Sequence, residues 1–141
     1  VETDFIIACV HWGKEYEREE NGRQKMLAEF LFDQGVDAVI DKDLASSLLA
    51  NQLNAGLFII STAVEQVVLD FGKPAEKPIR KMTVAEAEHY IAEGHFAPGS
   101  MLPKIQSALR FLKNGGQEVI ITAPEFIKEA VTEGRGTHIV P

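Results

Sequence analysis

Short apolar runs alternate with segments of helical period almost from one end of the chain to the other, and this pattern leaves few architectures open. Phe5-Ile6-Ile7-Ala8-Cys9-Val10 is a continuous apolar run, as expected of a strand covered on both faces. Met26, Leu27, Phe30 and Leu31 follow at helical spacing, and Gly35 stands where a helix would end. Ala38-Val39-Ile40 reads as a second strand. Leu44, Leu48, Leu49 and Leu53 mark a helix whose buried side they are expected to form, with Asp43 as its N-cap. Leu57-Phe58-Ile59-Ile60-Ser61-Thr62 is a third buried strand. Two consecutive βαβ units with right-handed crossovers are therefore expected.

The middle of the chain breaks the rhythm. Val67-Val68-Leu69-Asp70-Phe71 is β-prone, Gly72-Lys73-Pro74 stops it, and Pro78-Ile79 lies downstream, which predicts a hairpin off the main sheet. Thr83-Val84-Ala85-Glu86 is a capping box opening a short helix that Gly94 ends. Ser100 is placed to cap the next helix, with Pro103 in its first turn and Ile105, Ala108, Leu109 and Leu112 as its buried stripe before Gly115-Gly116. Glu118-Val119-Ile120-Ile121-Thr122 is a strand. Pro124 opens a helix carrying Phe126, Ile127, Ala130 and Val131 up to Gly134, and Thr137-His138-Ile139-Val140 is the last strand. With 141 residues the expectation is α/β: a single three-layer α/β/α domain, residues 1–141, with a mainly parallel sheet and a small β-hairpin excursion.

Charge and cysteine usage narrow the partners. A net charge of −7 argues against nucleic acid and against an anionic membrane surface. The single cysteine, Cys9, has no internal disulfide partner and reads as a small buried hydrophobe. No apolar run approaches the roughly 20 residues that span a bilayer, and no signal peptide opens the chain, so a cytoplasmic location is expected. His89, His95 and His138 show no metal-ligand spacing, and no metal site is expected.

From Asp41-Lys42-Asp43-Leu44-Ala45-Ser46, through Gly94-His95-Phe96-Ala97-Pro98-Gly99-Ser100-Met101-Leu102-Pro103-Lys104, to its end, the chain resembles the C-terminal lobe of carbamate kinases. The resemblance implies an adenine-nucleotide pocket. Lys42 and Asp43 would face the transferred phosphoryl group and Lys104 would contact the nucleotide phosphates. The segment from Thr62 into the hairpin, with Val67, Phe71 and Gly72, would line the base and ribose pocket, and Met101 would close it. A lysine in the first turn of a helix, beside free backbone amides, favours phosphate. Ser61-Thr62 ends a strand, where open α/β sheets place ligands. Ala63 departs from the family, which often has an aspartate there.

Residues 4–40 resemble a strand-helix-strand unit of the metallophosphatase-like proteins of poly-γ-glutamate capsule synthesis, through His11-Trp12-Gly13, Glu15-Tyr16 and the helix with Gln24. That family continues into a histidine run, in whose place this chain has Asp41-Lys42-Asp43, so His11 is expected to be a hydrogen-bonded histidine rather than a ligand. Trp12 and Tyr16 are expected to cover the core edge.

Two resemblances meeting near Asp41 suggest a chimera, with a grafted βαβ segment at 1–40 and a carbamate-kinase-like lobe at 41–141. The glycine-rich lobe that holds the phosphoryl acceptor in that family is not seen in these residues. The expectation is a folded protein, engineered or recombined and not an enzyme, with no required cofactor, retaining weak binding of ADP or ATP with Mg. Two alternatives stay open: an active small-molecule phosphotransferase of carbamate-kinase type, and an assembly module that forms a homodimer through surface left uncovered.

Overall fold

In the computed structural model, the structure describes residues 7–10, 29, 32–33 and 38–141, with side chains described for 29, 32–33 and 43–141. Met26, Leu27, Phe30 and Leu31 of the expected helix, its Gly35 cap, and His11, Trp12, Tyr16 and Gln24 lie outside these residues, as do the side chains of Cys9 and Lys42.

The described strands and helices follow one another as β1 (Ile7–Val10), β2 (Ala38–Asp41), α1 (Lys42–Gln52), β3 (Leu57–Ser61), β4 (Val67–Leu69), β5 (Lys77–Ile79), β6 (Lys81–Thr83), α2 (Val84–Ala92), α3 (Met101–Lys113), β7 (Glu118–Thr122), a 3-10 turn (Pro124–Phe126), α4 (Ile127–Glu133) and β8 (Thr137–Val140). The fold is mixed α/β, with a mainly parallel sheet and a small antiparallel hairpin. β1 and β2 pair in parallel, with Cys9 opposite Ile40. The main sheet runs β3-β7-β8-β6. β3 and β7 are parallel, Ile60 opposite Ile121, and β6 and β8 are parallel. β8 runs antiparallel to β7. β4 and β5 form the expected hairpin, Val67 opposite Ile79. The second βαβ unit differs from expectation: β2 and β3 belong to separate sheets.

The core lies between the sheet and α3. Ile105, Ala108, Leu109 and Leu112 are all buried there, packed with Val119, Ile121, Ile139, Met82 and Phe111. Burying one such side chain contributes about 1.5–3 kcal/mol. Ile120, which alternation points to the other face of β7, is buried outside that cluster, and α4 contacts the same strand. β7 is therefore covered on both faces.

Several local expectations are corrected by burial. Leu44, Leu48, Leu49 and Leu53 do not form the buried side of α1; Leu49 is 53% and Leu53 70% exposed. The side that packs against α3 carries Ser47, Ala50 and Asn51 instead: Ser47 is buried, Ala50 packs against the core cluster, and Asn51 Nδ2 donates to Phe111 O at 3.0 Å. Small residues let the two helices approach closely, which the leucines would prevent. β3 is an edge strand of its sheet, so Leu57 and Ser61 are exposed and Ile60 alone is fully covered. Val131 is exposed, and α4 buries Ala130. Ser100 precedes α3 without capping it through its side chain. Asp43 lies inside the first turn of α1, not before it, where a carboxylate opposes the helix dipole favourably.

Thr83 does cap α2: Glu86 N–H donates to Thr83 Oγ1 at 3.2 Å, and Thr83 N–H donates to Glu86 Oε2 at 2.7 Å. Gly116 is required by contact, because a Cβ there would lie 2.2 Å from the Phe111 ring.

Candidate functional site

β3 and β7 run in parallel and end together at Ser61 and Thr122. Thr62 N–H donates to Thr122 O at 2.9 Å, which carries the pairing one residue further before the chain leaves the sheet. The departing segment is pinned at its far end. Val67 N–H donates to the buried Thr137 Oγ1 at 2.8 Å, and Thr137 Oγ1 in turn donates to Ile79 O. One hydroxyl thus joins β8 to both strands of the hairpin. Beside it the Arg135 guanidinium binds Glu65 at 2.8 Å and lies 3.8 Å over the Phe126 ring. Glu65 holds the Arg135 proton more firmly than usual.

This arrangement opens a cleft of about 160 Å³ between the hairpin and the segment leading into α3. Thr62, Ala63, Val64 and Gln66 form one side. Val68 and Phe71 come from the hairpin, and His95, Phe96, Met101 and Lys104 stand opposite. The lining is mainly apolar, and Phe71 is 68% exposed at its mouth.

Lys104 is the cleft's cation, and it is only 8% exposed. Burying its stem costs little, but its ammonium needs a partner. Nζ lies 3.4 Å from Asp43 Oδ2. α1 and α3 are further tied by Ser107 Oγ, which donates to the backbone oxygen of Asp43.

Four of the residues singled out from the sequence, Thr62, Phe71, Met101 and Lys104, line this one cleft. Asp43 reaches it only through Lys104, while its own surface faces a neighbouring groove with Leu44, Pro103, Gln106, Ser107 and Arg110. Lys42 opens α1, and its side chain lies outside the described residues. Val67 is not a wall of the cleft: it is fully buried in the core, and alternation along β4 turns Val68 to the cleft instead. Gly72 also stands off the lining. It serves the hairpin turn at φ +77°, with its N–H donating to Glu76 Oε2 at 3.1 Å.

Sequence reasoning missed His95 as a member of the site. Its signal was local, a histidine between the left-handed Gly94 and the buried Phe96, but only one of its two partners is near in the chain. Nε2 lies 3.0 Å from Glu93 Oε2, and Nδ1 lies 3.3 Å from Asp70 Oδ2 across the cleft mouth. Asp70 adopts φ +51° in the hairpin turn. Its carboxyl is held below the usual carboxylate range, first by the hydrogen bond from Lys73 and also by His95. Among the described residues, no three histidine, cysteine or acidic side chains gather in a metal-binding group, and no helix is long and apolar enough to cross a membrane.

A parallel pair of strands with a cation-bearing cleft at its C-terminal end is the ligand-binding geometry of open α/β proteins. The profile of the Amino acid kinase family matches residues 25–123, and the chain belongs to that family. The profile of the bacterial capsule synthesis protein family also matches, at residues 1–42. The carbamate kinase of Thermoplasma volcanium is 53% identical over 107 residues, 76% of this chain and 35% of that protein. That of Thermococcus kodakarensis is 41% identical over 140 residues, 99% of this chain and 42% of that protein. Among solved structures, carbamate kinase from Giardia lamblia bound to AMP-PNP aligns with TM-score 0.69 at 30% identity, covering 82% of this chain and 48% of that one. The chain thus spans well under half the length of the two curated relatives.

These likenesses correct the expectation of a chimeric protein that is not an enzyme. Relatives at 41–53% identity carry the name carbamate kinase, and one alignment covers 140 residues, 99% of this chain. They favour the alternative, a phosphotransferase of carbamate-kinase type.

Proposed function

We propose that this chain forms the adenine-nucleotide-binding part of a carbamate-kinase-type phosphotransferase, with residues 38–141 working as one α/β unit. The observation that carries the reading is the buried Lys104 inside an apolar cleft at the ends of β3 and β7. The Giardia lamblia carbamate kinase, solved bound to AMP-PNP, supports the same ligand class.

In this reading Phe71, Val68 and Met101 offer apolar surface to the base. Lys104, in the first turn of α3, meets the phosphates with its ammonium. Asp43 keeps the ammonium aimed through its 3.4 Å contact. Phosphoryl transfer depends on positioning and charge neutralisation, so these groups contribute by fixing the donor and offsetting its negative charge. Mg²⁺ would arrive with the nucleotide as part of the substrate, and Lys42 would join the charge at the phosphate end.

Calorimetry with ADP and with adenosine tests the reading, alongside amide chemical shifts. The expected ADP affinity lies between about micromolar and millimolar, roughly −8 to −4 kcal/mol. Shifts should move at Thr62, Phe71 and Met101. The absence of heat at millimolar ADP, with those signals unmoved, would refute it.

A further inference from the structure

His95 has a position that the nucleotide reading does not use. Its ring closes the gap between the two sides of the cleft mouth, with a carboxylate at each nitrogen: Glu93 at the end of α2 and Asp70 in the hairpin turn. The ring is held from a third direction by Tyr90, edge-on at 5.7 Å. Nδ1 is closed off from solvent and has no in-line hydrogen-bond acceptor, although Asp70 Oδ2 is its near neighbour. A neutral imidazole carries one N–H and can donate in one direction only; the imidazolium donates in both.

We propose that His95 is a proton-dependent latch that, when charged, ties the hairpin to the end of α2 and holds the cleft mouth closed. The remaining groups around it fit this role. Lys73 binds Asp70 at 2.6 Å from within the hairpin and keeps it ionised as an acceptor. Glu76, also on the hairpin, braces the turn through Gly72 N–H. His89, on α2, lies 3.4 Å from the other oxygen of Glu93 and is largely exposed. Lys104 lines the same cleft but is engaged by Asp43. Two carboxylates face His95, one at each ring nitrogen, so a ring that donates from both nitrogens strengthens both contacts. Raising the pH removes one of them.

The latch itself stands without any ligand; its effect on nucleotide exchange rests on the function proposed above. The test is therefore made first on the protein alone. Amide hydrogen exchange of residues 67–79, corrected for the intrinsic pH dependence, is followed across about pH 5 to 8, the range in which imidazoles change charge. Protection should fall on the order of tenfold as pH rises, the size of one charge-assisted hydrogen bond. His95→Gln keeps the volume but cannot gain the proton, and Asp70→Asn keeps the fold of the turn; both should flatten the profile. His89→Gln should leave it intact. A flat wild-type profile, an unchanged profile in His95→Gln, or a profile abolished by His89→Gln would each overturn the latch. Stopped-flow ADP release is measured second and should slow at low pH in the wild type only. If ADP does not bind while the hairpin still tracks pH, the latch stands and the nucleotide reading fails.

Discussion

Lys104 Nζ lies 3.4 Å from Asp43 Oδ2, a contact between residues 61 positions apart that joins the first turn of α1 to the first turn of α3. Both side chains are about nine-tenths covered. The pair gives α1 a fixed place beside the cleft even though its leucines face outward. It also holds a cation inside the cleft, where the proposed function places the nucleotide phosphates.

Replacing Lys104 by methionine should weaken ADP much more than adenosine. The change removes a charge-assisted contact worth about 1.5–3 kcal/mol and leaves the apolar walls in place. Calorimetry with the two ligands measures the difference directly. Equal losses for both would mean that Lys104 shapes the cleft rather than meeting phosphate.

Thr137→Val should destabilise the fold by about 1–3 kcal/mol, since it leaves Val67 N–H and Ile79 C=O buried without their shared partner. Denaturant unfolding gives the magnitude, and hairpin amides should lose protection before the rest. A variant as stable as the wild type would show that Thr137 is not the hairpin's anchor.

Ile105→Ala and Leu53→Gln should separate core from surface. Ile105 is fully buried and its truncation should cost about 2–5 kcal/mol, whereas Leu53 is mostly exposed and its exchange should stay within about 0.5 kcal/mol. Comparable losses at the two positions would contradict the outward-facing leucine stripe.

Acid should loosen α2 from its N-terminus. The Glu86 carboxyl is held below its ordinary range, first by the Thr83 backbone N–H and then by the Thr83 hydroxyl. A depressed folded-state value means that this stabilisation is present above the ordinary carboxylate range and is lost as pH falls through the folded value. Thr83→Ala, which removes a cap worth about 1 kcal/mol, should blunt that part of the acid sensitivity. Urea melts of both proteins over an acid series would settle whether the slopes differ.

Much of the architecture could be read in advance because its signals are local. The Val67–Leu69 hairpin strand, the Thr83–Glu86 box and the Ile105–Leu112 stripe depend on neighbours within a turn or two, and each is found where expected. The site was only partly readable. Thr62, Phe71, Met101 and Lys104 line one cleft, while Val67 and Gly72 do not, because a strand's alternation and a turn's backbone need decided their direction. The non-catalytic reading rested on a glycine-rich lobe not seen in these residues, and relatives at 41–53% identity named carbamate kinase overturned it.

By itself the sequence determined the element order, the caps, the α3 core stripe and the kinase-like motifs, all of which rest on periodicity, backbone preference or short residue patterns. Tertiary structure alone decided that α1 would turn Ser47 and Ala50 toward α3 and leave its leucines exposed. It alone brought Asp43 to Lys104 and set His95 between Asp70 and Glu93. Two of these contacts cross long stretches of chain, and the burial of α1 depends on how closely its neighbour can approach. Such distances are set by packing of the whole fold, and no local run of residues encodes them.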